Sequence, residues 1–117
     1  MVKVGIFSNS TAIIILALAT SAALAAGSVS KGKALFNDPK FAGATSGNSC
    51  NTCHPGGKGL EQAGNQKEFH IAGKTQKGLE EAVNACIEYA IGGDPIDTKS
   101  EAMQDIVAYV KSLKSKL

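Results

Sequence analysis

The sequence predicts a small all-α domain, and three observations carry that expectation. Apolar residues recur at helical spacing at Leu79, Ala82, Val83, Cys86, Ala90 and Ile91, and again at Met103, Ile106, Tyr109, Val110 and Leu113. A shorter segment of helical character, VSKGKALFN at residues 29–37, stands ahead of them. No stretch shows the period-2 alternation of a strand, and no segment repeats.

The boundaries follow from local chemistry. In the first segment Leu35 and Phe36 form the apolar side and Ser30 can cap the start. Asp38-Pro39 ends it, because the residue before proline is pushed out of helical geometry. Residues 39–49 read as a loop, and the glycine-rich residues 55–66 as irregular chain. The second helix is expected from Thr75, as its cap, to the Gly92-Gly93 stop. Asp94-Pro95 opens a turn. The last helix is expected over Lys99–Ser115, with Thr98 or Ser100 as cap. Glu101 near its start and Lys111, Lys114 and Lys116 near its end suit the helix dipole.

Residues 1–26 read as a secretory leader. Lys3 supplies positive charge, Ala12–Ala19 is an unbroken apolar run, and Ala23-Leu24-Ala25 offers a small-x-small cleavage site. Cleavage is expected near Ala25 or Ala26. The apolar run is too short for a membrane anchor, which needs roughly 20 residues. The rest, residues 27–117, is one domain, small enough that a cofactor, metal or disulfide often completes the core. The whole chain has no Trp, two Tyr and four Phe, and thirteen glycines. Large side chains are therefore scarce, and the core is expected to be finished by something other than protein.

Charge excludes one class of function. The chain has 12 basic and 10 acidic residues, and every basic one is Lys. A nucleic-acid binder is expected to show a basic excess and arginines. Export also implies an oxidising compartment, where paired cysteines form disulfides. There are three cysteines, Cys50, Cys53 and Cys86, so at least one thiol has another task.

SCNTCHPGG, residues 49–57, contains C-x-x-C-H at Cys50, Cys53 and His54. This is the attachment pattern for a c-type haem. Two thiols add across the two haem vinyl groups, giving thioethers, and the histidine that follows supplies an axial ligand to the iron. Pro55 stiffens the exit from the motif. The alternatives are weaker. A thioredoxin-like site needs a βαβ context. A zinc site needs four ligands, and there is no second C-x-x-C. A plain Cys50–Cys53 disulfide leaves His54 idle. One covalent haem c is expected, with Cys50, Cys53 and His54 as its binding residues.

The order of these features resembles class I c-type cytochromes. The first helix carries G-x-x-x-[FY] as Gly32-Lys33-Ala34-Leu35-Phe36, C-x-x-C-H follows, and the last helix carries Tyr109 in DIVAYVKSL. The resemblance implies a cytochrome c-like fold, with N- and C-terminal helices crossing around one covalently bound haem. It also implies that Gly32 and Phe36 pack against the last helix. The stretch VNACIEYAIGGDPIDTKSEAMQDIVAYVKSL, residues 83–113, further looks like the haem domains of thiosulfate-oxidising enzymes and thiosulfate dehydrogenases. Some of those use a cysteine at the position of Cys86 as an axial thiolate. Many class I members instead place a methionine in the loop before the last helix. Here that loop, IGGDPIDTKS at 91–100, has none.

Three residues therefore compete for the sixth iron position. Cys86 is the first candidate, with a buried core thiol or a disulfide as its other readings. Met103, the only methionine after the leader, is the second; His70 in KEFHIAGK is the third. An open site would be left if none binds. The expected function is a periplasmic, or otherwise exported, monohaem electron carrier that is not an enzyme. Its partners are redox proteins, with no nucleic acid and no membrane once the leader is removed. Lys58, Lys67, Lys74 and Lys77 can ring an exposed haem edge. Two alternatives remain: the haem subunit of a thiosulfate-oxidising complex, and a gas-binding haem sensor.

Overall fold

The computed structural model describes residues 27–114. The leader read at residues 1–26, and Lys116, lie outside the described residues. The elements run α1 (Val29–Asn37), α2 (Cys50–Cys53), β1 (Phe69–Ile71), β2 (Lys74–Gln76), α3 (Leu79–Tyr89) and α4 (Glu101–Ser112), with short 3-10 turns at Phe41–Gly43, Pro55–Gly57 and Ala63–Asn65.

α1 has the expected bounds but a different cap. The Ser28 hydroxyl, rather than that of Ser30, accepts the Lys31 N–H at 3.2 Å. Asp38 closes the helix as its C-cap, directly before Pro39. α1 packs along α4, and Gly32 is what permits it. A Cβ on Gly32 would collide with the Asp105 carbonyl oxygen and come within 2.8 Å of the Tyr109 Cβ. One turn later Phe36 meets Tyr109 edge to face, with ring centroids 5.0 Å apart at 62°. The buried Asp105 carboxylate accepts the Ser28 N–H at 2.7 Å and ties the start of α1 to α4. The contacts implied by Gly32, Phe36 and Tyr109 in the sequence are thus present.

The middle of the chain departs from the all-α expectation. β1 and β2 form an antiparallel hairpin, pairing Phe69 with Gln76, His70 with Thr75 and Ile71 with Lys74. Its two-residue turn is Ala72-Gly73, with φ of 52° and 73°. These are the positive values that match the twist of paired strands. The buried Gln76 side chain adds bonds to both the N–H and the carbonyl of Ile71. Thr75 is therefore a strand residue and not a helix cap. α3 begins four residues later, with Gly78 at the cap position and Glu80 and Glu81 in the first turn.

α3 ends near the predicted stop, where Gly92 has φ of 68°. α4 starts at Glu101 with Ser100 as its cap, the hydroxyl accepting the Met103 N–H at 3.2 Å. Phe36, Ile87, Ile91, Met103 and Ile106 are the largest fully buried side chains. Replacing Gly32 by Ala forces apart two helix backbones with no side chain free to yield. The variant is expected to lose about 1–3 kcal/mol of stability, read as a lower denaturation midpoint with unchanged slope.

Candidate cofactor site

α2 is a single turn that brings the motif together. Ser49 caps it, and the Thr52 hydroxyl accepts the Ser49 N–H at 3.0 Å. Residues three apart in a helix share a face, so one turn sets Cys50 and Cys53 side by side. His54 then leaves helical geometry at φ −125°, ψ 69°, while its N–H still reaches the Cys50 carbonyl at 3.0 Å.

The turn after His54 is fixed from both sides. Asn51 accepts the Gly56 N–H at 2.8 Å through Oδ1, and the His54 carbonyl accepts the Gly57 N–H at 2.8 Å. Gly56 and Gly57 have φ of 61° and 83°, where side chains are strained. The turn returns the chain so that the Lys58 carbonyl lies 3.0 Å from His54 Nδ1. A carbonyl oxygen only accepts, so Nδ1 carries the proton and Nε2 keeps its lone pair.

The motif opens onto an apolar cavity of about 700 Å³, counting its open mouth. Cys50, Cys53 and His54 stand in its wall. Phe36 closes it from α1, and Ile106 and Val110 from α4. The hairpin contributes Phe69 and Ile71, and α3 contributes Val83, Cys86 and Ala90. The sequence reading missed the hairpin wall. Its only signal was Phe-His-Ile, two apolar residues flanking a polar one, which is too short to register as alternation.

The three candidates for the sixth position are separated by the fold. Cys86 lines the cavity together with the motif. Met103 is fully buried in the protein core and is not part of the cavity wall. His70 faces outward from β1, with Nδ1 3.1 Å from the Thr75 hydroxyl. Burial pushes the Cys86 thiol above its ordinary range, helped by the neighbouring Cys53 thiol. Burial, then the Cys86 thiol, pushes Cys50 up to about 11. Among the described residues no group of three or more His, Cys, Asp or Glu side chains is arranged to hold a metal ion directly.

Lys58, Lys67, Lys74 and Lys77 are all exposed. Lys74 donates to the Tyr89 hydroxyl at 3.0 Å and stands 5.6 Å from the centre of its ring. Lys77 lies 3.8 Å from Glu68.

This donor set fits a haem: two adjacent thiols, an imidazole with a free Nε2, and an apolar slot beside them. The fold and site are those of a monohaem class I c-type cytochrome domain, and haem c is its cofactor. Residues 31–116 match the family model for the SoxA/TsdA cytochrome c domain, and the chain belongs to that family. A comparison with curated proteins gave no match. No helix among the described residues is long and apolar enough to cross a membrane.

The His54 turn yields a paired test. A Cβ on Gly57 would strike the Leu113 side chain at a backbone angle already unfavourable to it. Gly47 has a similar φ of 81° but open space around it. Gly47→Ala should cost only the left-handed penalty of about 1–2 kcal/mol. Gly57→Ala should cost measurably more by thermal melting.

Proposed function

We propose that this chain is an exported monohaem electron-transfer protein of the periplasm. Cys50 and Cys53 hold the haem through thioethers, His54 is the proximal iron ligand, and Cys86 is the sixth ligand. When bound, the haem supplies a one-electron iron couple. The observation that carries the assignment is that Cys86 lines the same cavity as the C-x-x-C-H motif, whereas Met103 is locked in the core and His70 points away. The leader-like residues 1–26 support export.

The chain's own groups divide the work. The His54–Lys58 bond holds the imidazole in one tautomer and one orientation. The apolar walls exclude water and make an uncompensated anionic sulfur costly. Iron held by Cys86 would supply a positive charge that offsets that cost and favours the deprotonated sulfur. A thiolate donor stabilises the ferric state and lowers the potential, where a thioether would raise it. With His54 and Cys86 both holding the iron, no site would be left for oxygen chemistry, and electron transfer would be the natural task.

A second reading has its own support. The family match is to haem domains named for SoxA and TsdA, so the chain can instead serve as the haem subunit of a thiosulfate-oxidising assembly. Its small size would then require a partner to complete a substrate pocket.

Near-infrared absorption and electron paramagnetic resonance of the ferric protein test the ligand assignment. Wild type is expected to show a thiolate signature that disappears in Cys86→Ala. Identical spectra with a thioether band would transfer the role to Met103. Turnover of thiosulfate by the purified protein with an artificial acceptor would favour the second reading; the expected result is none. Cys50→Ala and Cys53→Ala are each expected to give haem-losing, poorly folded protein, read from the haem-to-protein absorbance ratio.

A further inference from the structure

α3 has two working faces. Val83, Cys86 and Ala90 line the cavity. Asn84 lies about 200° round the helix from Cys86 and serves the loop between α3 and α4. Its amide donates to the Ile96 carbonyl at 2.8 Å, and its Oδ1 accepts the Ile96 N–H at 2.9 Å. One side chain thus satisfies both backbone groups of one loop residue, as a neighbouring strand would.

The same loop is tied down at its start. Gly93 N–H donates to the Ile87 carbonyl at 2.8 Å, and Asp94 N–H to the Ala42 carbonyl at 2.8 Å. Thr45 and Ser46 N–H donate to the carbonyls of Gly92 and Ile91, each at 3.3 Å. Ile91 itself is 2 % exposed and lines the cavity. A continuous set of bonds therefore runs from the chain leading into α2, through the loop, to α3. Asn84 is the only side chain on α3 that bonds the far half of the loop among the described residues. Asn is also a poor choice for helix stability alone, since its side chain competes for backbone bonds.

We infer that Asn84 is a positioning residue for the sixth coordination position: by clasping Ile96 it holds α3, and Cys86 on it, in place, and so sets how slowly an external ligand can replace the Cys86 sulfur. This rests on Cys86 being the sixth ligand. Displacement of that sulfur needs α3 to move, and α3 cannot move far while Asn84 spans it to a loop fixed at its other end. Local openings of this kind have their own equilibrium, separate from global unfolding.

The test is the rate of imidazole and cyanide binding to the ferric haem-loaded protein, followed by the haem absorbance change. Losing two neutral hydrogen bonds should raise the open population, and hence the rate, by about tenfold in Asn84→Ala. The resting spectrum should stay that of wild type. Asn84→Asp keeps the bond from the Ile96 N–H but sets a carboxylate oxygen against the Ile96 carbonyl, so acceleration is expected there too; it serves if the Ala variant does not fold. Ser28→Ala, which removes the α1 cap, should lower the melting temperature without changing the rate. In a Cys86→Ala background binding should already be fast, and Asn84→Ala should add nothing. Three results would overturn the role of Asn84: a wild-type rate in Asn84→Ala, equal acceleration in Ser28→Ala, or full acceleration by Asn84→Ala without Cys86. Slow binding in Cys86→Ala would overturn the ligand assignment beneath it.

Discussion

An apolar cavity lies beside the C-x-x-C-H motif, and α1, α2, the hairpin, α3 and α4 all contribute to its wall. Protein interiors are otherwise packed without voids, because atoms facing empty space forfeit their dispersion contacts. A wall built from five elements with so few large side chains is stable when a flat, apolar group fills it. That constraint explains why Phe69 and Ile71 come from a three-residue strand and Val83 and Ala90 from one face of a short helix. Each segment needs only enough regular structure to present two or three side chains inward.

The frame around the cavity is set by the packing of α1 against α4. α1 and α4 approach at Gly32 until backbone meets backbone, and Phe36 and Tyr109 lock the next turn. The buried Asp105 holds Ser28, the cap of α1, through its backbone N–H. Donor placement within the frame is a matter of single turns. One helical turn aligns Cys50 and Cys53, and two left-handed glycines bring the Lys58 carbonyl back to His54. Asn51 and Thr52, the two unspecified positions of C-x-x-C-H, both make structural bonds here: Asn51 to the turn, Thr52 to the cap.

The surface is electrically mixed. The sequence holds twelve lysines and ten Asp or Glu residues, and two of the lysines expected near the haem edge are engaged, Lys74 with Tyr89 and Lys77 with Glu68. Such exposed pairs contribute little stability. A chain of this balance has a weak overall field, so docking with a redox partner depends on short-range fit more than on steering.

C-x-x-C-H was legible at once, because its chemistry depends on local spacing, with two thiols one turn apart; the packing of Gly32 and Phe36 against Tyr109 is a contact between distant segments and was legible only through the resemblance to class I c-type cytochromes. Helical periodicity likewise located α1, α3 and α4 to within a few residues. The hairpin escaped, since three-residue strands are too short to show alternation and its turn uses Ala72 where Asn or Asp is the usual signal. The cap of α1 moved from Ser30 to Ser28 for a similar reason, as the Ser28 N–H is drawn to Asp105, 77 residues away. The choice among Cys86, Met103 and His70 was not readable from spacing either. Cys86 and Met103 both lie on apolar helix faces, and periodicity shows that a face is buried without saying what it is buried against. What each face is buried against depends on how α3 and α4 pack: Cys86 lines the cavity, and Met103 lies in the protein core.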